Sequence, residues 1–89
     1  MKYQVLVSKK AKKELSNIDR TQAKMIWNWL CKQLDGCNNP YFSGKALKGN
    51  KKGLWRYRVG CYRLLANIDN NKIIINIVQI GHRQGIYKD

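Results

Sequence analysis

The hydrophobic period of this chain changes once, near Leu54, and that change restricts the fold more than any other feature. Ahead of it, apolar residues recur every three or four positions; behind it, they alternate. The first pattern belongs to helices that bury one stripe, the second to strands that bury one face. Helices grouped ahead of strands, within only 89 residues, predict a single α+β domain covering 1–89.

Local signals refine this. Residues 3–7 (Tyr-Gln-Val-Leu-Val) are short and β-prone, so they predict a first strand. Ser8 is a good N-cap, and Ala11, Leu15 and Ile18 follow at helical spacing. Asp19 opens a second helix, with Gln22 three residues on in a capping-box-like pair. Its apolar stripe is Ala23, Ile26, Trp27, Leu30 and Leu34, and Gly36 supplies a left-handed stop. Two helices joined so tightly predict an antiparallel hairpin. A loop from Asn38-Asn39-Pro40 to about Lys45 follows. Residues 54–59, 62–68 and 73–80 then read as three strands, with turns at Gly60 and at Asp69-Asn70-Asn71. The last of these is apolar on both faces, which predicts an interior position. Residues 81–89 are expected to leave the sheet as an irregular tail. The expected architecture is an N-terminal strand and a two-helix hairpin packed on one face of an antiparallel sheet, with the other face free.

Charge narrows the function. Eighteen Lys+Arg against five Asp+Glu give a formal net charge of +13, a field that favours polyanions or acidic proteins. No apolar run exceeds three residues, as in Ile73-Ile74-Ile75, so no membrane span is expected. Lysines at 9 and 10 follow too closely on 3–7 for a secretory signal. Cys31, Cys37 and Cys61 are odd in number, which fits a reduced, cytoplasmic setting. Their spacing fits no zinc template, and His82 is the only histidine; neither metal nor cofactor is expected.

Alternation predicts where the charge gathers. Trp55, Tyr57 and Val59 point to one side of their strand, and Arg56 and Arg58 to the other. In the next strand Tyr62, Leu64, Ala66 and Ile68 share a face, and Arg63 points opposite. Lys45, Lys48, Lys51 and Lys52 line the preceding loop, and no acidic residue lies between Asp35 and Asp69. Lys9 to Lys13 read as an ordinary solvated helix surface. The strand arginines do not, because like charges on adjacent strands repel. Guanidinium groups suit phosphate, and Tyr87 and His82 are candidates for stacking or proton transfer at the rim. The residues by themselves lead to a small basic α+β protein that binds RNA or an acidic partner.

The segments Gly44-Lys45-Ala46-Leu47-Lys48-Gly49, Gly53-Leu54-Trp55-Arg56-Tyr57-Arg58-Val59-Gly60-Cys61-Tyr62-Arg63 and Ile80-Gly81-His82-Arg83-Gln84-Gly85-Ile86-Tyr87 resemble the RelE branch of the RelE/ParE toxin superfamily. The N-terminal part, with Tyr3, Ala11, Leu15, Ile18 and Asp19, is similar as well. The resemblance implies a bacterial toxin of a type II toxin–antitoxin pair, with a helix hairpin on an antiparallel sheet. It implies a ribosome-dependent endoribonuclease that cuts mRNA in the A site, the ribose 2′-OH attacking the adjacent phosphate. It also implies an acidic cognate antitoxin and a toxin–antitoxin hetero-oligomer. The family's site residues fall here on Arg56, Arg58, Arg63, Arg83 and Tyr87. Two of these, Arg56 and Arg58, are often lysine in the family. Arginine stays protonated, so they suit phosphate clamping and transition-state charge rather than proton removal. His82 is then the side chain whose ordinary pKa suits a general base. The chain runs two residues past Tyr87, so an additional C-terminal helix is not expected. The alternatives are a ParE-like gyrase poison sharing the fold, and an RNA-binding module without activity.

Overall fold

The computed structural model describes residues 2–49 and 52–82. Strand β1 (Gln4–Val7) leads into helix α1 (Lys9–Ser16) and helix α2 (Arg20–Trp29), which continues as a π-helical segment, Leu30–Leu34. Strands β2 (Lys45–Ala46), β3 (Trp55–Val59), β4 (Tyr62–Asp69) and β5 (Ile74–His82) complete one five-stranded sheet, in the order β1-β5-β4-β3-β2.

The helix starts follow the sequence signals. The Ser8 side chain accepts the Ala11 amide at 3.0 Å, and Asp19 accepts the amides of Thr21 and Gln22 at 3.1 and 3.4 Å. The second helix buries Ile26, Leu30 and Leu34, spaced by four. That spacing drifts around a regular 3.6-residue helix, and the wider π turn, closed by Asp35 N–H to Leu30 C=O at 2.8 Å, brings Leu34 back to the core. Trp27, expected in the buried stripe, is instead 46% exposed. It lies on the flank of a helix whose core line runs through Ile26. Trp29 is the tryptophan that turns inward, against Tyr57 and Phe42.

The sheet is mixed, which corrects the expectation of an all-antiparallel one. β2-β3, β3-β4 and β4-β5 are antiparallel, but β1 lies parallel to β5, with Gln4 opposite Ile74 and Val7 opposite Ile77. β5 is interior, between β1 and β4, as its two apolar faces require. Its continuation through Gly81 and His82 was not expected; both pair with β4. The turn into β5 is closed by Asp69, whose carboxylate accepts the amides of Asn71 and Lys72, both at 3.0 Å. The turn leaves Ile73 at φ 58°, a strained position for a β-branched residue, while its carbonyl accepts the Gln4 amide that begins the parallel pairing.

The core lies between the helices and the sheet. Ala11, Ile26, Leu34, Tyr57, Leu64, Ala66, Ile75 and Ile77 are fully buried there. Residues 35–37 guard the outer edge of β1: the Asp35 carboxylate accepts the Val5 amide at 3.0 Å, and Tyr3 exchanges backbone bonds with Gly36 and Cys37.

Candidate nucleic-acid interface

Strands β3 and β4 alternate as their sequences demand. Trp55, Tyr57 and Val59 join Tyr62, Leu64, Ala66 and Ile68 against the helices. Arg56, Arg58 and Arg63 therefore share the opposite face. The register brings them close: Arg58 is the direct partner of Arg63, Arg56 pairs with Leu65, and Lys45 of β2 pairs with Arg56. Direct cross-strand partners have Cβ atoms about 5 Å apart, so two guanidinium stems stand side by side where like charges are unfavourable. Across β5 the direct partner of Arg63 is Gly81, which carries no side chain.

This face is not wholly free, which corrects the simple two-layer expectation. Leu47 and Leu54 pack onto it, and with Leu65 and Val78 they form a second small apolar cluster. Arg56 is 7% exposed, whereas Arg58 is exposed and Arg63 half-buried. The Nε atoms of Arg56 and Arg63 are closed off from solvent. Leu65 was the sequence signal for this cover: it has the same parity as Arg63, and a leucine facing solvent mid-strand needs a lid.

Gly44 ties the loop to the site. It has φ +91°, and a Cβ there would stand 2.1 Å from the Arg56 carbonyl oxygen, so only glycine lets the loop run against β3. The Trp55 indole N–H donates to the Ser43 carbonyl at 2.7 Å, and the Tyr57 hydroxyl donates to the Pro40 carbonyl. Burial first, then the neighbouring Cys37 and Tyr41, push the Tyr57 phenol well above its ordinary range, and burial pushes the Cys37 thiol up.

The remaining sequence-derived candidates divide. Lys45, Lys48 and Lys52 are exposed on or beside the loop. Lys51, Arg83 and Tyr87 lie outside the described residues. His82 pairs with Tyr62 and meets its ring edge-on at 5.6 Å, so it belongs to the helix side of the sheet and not to the arginine side. The bulge that sets this parity falls in β5, where Leu65 pairs with Gln79 but Ala66 pairs with Ile77.

The four carboxylates among the described residues are all engaged with backbone amides. Glu14 accepts from Ile80, Asp19 from the start of α2, Asp35 from Val5, and Asp69 from its own turn. Among the described residues there is no group of His, Cys, Asp and Glu fit to hold a metal ion, and no helix is long and apolar enough to cross a membrane.

A helix hairpin on a mixed sheet whose far side gathers arginines defines a strongly basic α+β protein. Residues 5–87 match the family model for the ParE toxin of the type II toxin–antitoxin system parDE, and the chain belongs to that family, within the RelE/ParE superfamily. A comparison with curated proteins finds no match. Among solved structures, the chain is similar to one in the toxin–antitoxin complex RelBE2 from Mycobacterium tuberculosis, at TM-score 0.84 and 25% identity, covering 93% of this chain and 100% of that one. A mutant of E. coli toxin RelE in the free state matches at TM-score 0.73 and 18% identity, over 97% and 88%. A chain of the archaeal RelE–RelB complex from Pyrococcus horikoshii OT3 matches at TM-score 0.67 and 22% identity, over 98% and 100%. The last two show the shared fold. The chain is thus a type II toxin of the RelE/ParE superfamily with a RelE-like fold.

Proposed function

We propose that this toxin is a ribosome-dependent endoribonuclease that cuts mRNA by attack of a ribose 2′-OH on the adjacent phosphate. The observation that carries the reading is the direct pairing of Arg58 with Arg63 on the side of the sheet away from the helices. Like charges on directly paired residues of adjacent strands are unfavourable, but a phosphate passing through a pentacoordinate, more highly charged state is stabilised by both. Arg58 and Arg63 would grip the scissile phosphate. Arg56, almost buried, would add fixed positive charge, and Lys45, Lys48, Lys51 and Lys52 would steer the backbone. Arg83 would neutralise the leaving oxygen, and Tyr87 would stack on a base.

Proton transfer is the sparse part of this scheme. Arginine stays protonated, and the described carboxylates are occupied elsewhere. His82 is the remaining candidate base, and its pairing with Tyr62 counts against direct transfer from a nucleotide held by Arg58 and Arg63. Positioning must then supply most of the rate, and in-line alignment of the 2′-OH by the ribosome is worth several kcal/mol, up to about 10. Primer extension on mRNA in a purified translation system tests this: cuts are expected with ribosomes and not without them. Equal cutting of naked RNA would defeat ribosome dependence, and no cutting in either case would defeat the nuclease reading.

The match to a ParE model favours a second reading, a gyrase poison of the same fold. The arginine pair argues for RNA, and a DNA supercoiling assay with purified gyrase separates the two. In either reading the partner is an acidic antitoxin forming a hetero-oligomer, since it must meet a +13 surface. Association is expected to slow as salt rises, because rim charges are screened over about 10 Å at 0.1 M.

A further inference from the structure

We propose that Glu14 is a positioning residue for the arginine face: its carboxylate holds the end of β5 in the register that sets Gly81 opposite Arg63. The inference rests on the nuclease reading above. β1 has only four residues, and its pairing with β5 ends at Val7 opposite Ile77. Beyond that point no strand among the described residues lies beside the β1-side edge of β5. Helix α1 takes the strand's place. Ser8 donates its amide to the Ile77 carbonyl at 2.9 Å and its hydroxyl to the Val78 carbonyl at 3.4 Å. One turn and a half further on, Glu14 accepts the Ile80 amide at 2.8 Å.

The bond matters because β5 has two registers one residue apart. Up to Ile77 opposite Ala66 the pairing is regular, and continuing it would set Gln79 opposite Leu64 and Ile80 opposite Arg63. The bulge moves every later residue by one, so that Ile80 is 2% exposed in the core and Gly81 faces Arg63. A one-residue slip reverses the faces of all following side chains and turns the Ile80 amide away from α1. Burial of Ile80 rather than Gln79 favours the bulged register, and the Glu14 carboxylate binds an amide that points toward it only there. The slipped register would raise an isoleucine beside Arg63, where a phosphate has to approach. Glu14 is also the only acidic residue of α1, among Lys9, Lys10, Lys12 and Lys13, and it is half-buried rather than turned to solvent with them.

The test uses the full chain in the translation assay with three variants, alongside hydrogen exchange at Ile80. Glu14→Met keeps the stem and the helix propensity but removes the acceptor. Glu14→Gln removes the charge but keeps an acceptor oxygen. Glu14→Ala repeats the loss with a smaller side chain, so a folding failure of one variant leaves the other. Met and Ala are expected to lower kcat about 10- to 100-fold, the cost of a misplacement near 1 Å, with KM for programmed ribosomes within about twofold. Their Ile80 amide is expected to exchange much faster, and Gln is expected to recover most of the rate. Wild-type kcat in Met or Ala, or a Gln variant as slow as Met, would overturn the proposal. Wild-type protein that cuts no mRNA fails the nuclease reading instead, and an unprotected Ile80 amide in wild type would remove the structural half.

Discussion

The two faces of the sheet obey different rules. On the helix side, Tyr57, Leu64, Ala66, Ile75 and Ile77 are all fully buried, and each position is explained by what it packs against. On the far side the same strands carry Arg56, Arg58 and Arg63, beside a small apolar cluster of Leu47, Leu54, Leu65 and Val78. The first face is chosen by the fold; the second is chosen only partly by it, and what burial leaves unexplained there is the arginine row. Substitutions on the helix side should therefore cost stability, and those in the arginine row should cost activity.

The largest expected effect on stability is Ile77→Ala, which empties a fully buried site and should cost about 4 kcal/mol in urea unfolding. Its bulge neighbour Val78, half-buried on the other side, should cost about 1 kcal/mol as Val78→Ala. Equal costs would mean that the far-side cluster is a second core rather than a lid. Tyr57→Phe should come next, at about 2 kcal/mol, because the buried Pro40 carbonyl loses its donor.

The same residue gives a pH signature. Burial holds the Tyr57 phenol and the Cys37 thiol in their neutral forms, so both folded pKa values lie above the unfolded ones. Their contribution is complete below the unfolded values, about 8.5 for the thiol and about 10 for the phenol, and is lost as pH rises beyond them. Unfolding midpoints measured from pH 8 to 11 should fall, and the part above pH 10 should flatten in Tyr57→Phe. The smallest effect belongs to Lys9→Ala on the exposed surface of α1, under about 0.5 kcal/mol in stability.

How much of this was legible in the sequence depended on which face did the choosing. Alternation of Trp55, Tyr57 and Val59 against Arg56 and Arg58 assigned both sides of β3, because burial enforces that period. The helix caps at Ser8 and Asp19 were legible because they act within three residues. The parallel pairing of β1 was not, since a four-residue strand carries no signal of direction. Nor was the bulge in β5, which depends on contacts from Ser8 and Glu14 more than sixty residues away, and it is the bulge that carries His82 to the side of Tyr62. The far face read as open because the leucines that pack onto it, Leu47 and Leu54, lie outside the strands, where no alternation marks them.

The central claim is that the arginine row works on substrate and does not hold the fold. Arg63→Ala tests it most directly, with mRNA cleavage in purified translation and urea unfolding measured on the same preparation. Loss of one of two charged donors to the scissile phosphate predicts a fall in cleavage of about 100-fold or more, with stability within about 1 kcal/mol of wild type because a cross-strand repulsion with Arg58 is relieved as well. Cleavage at the wild-type rate by a folded Arg63→Ala protein would contradict the account.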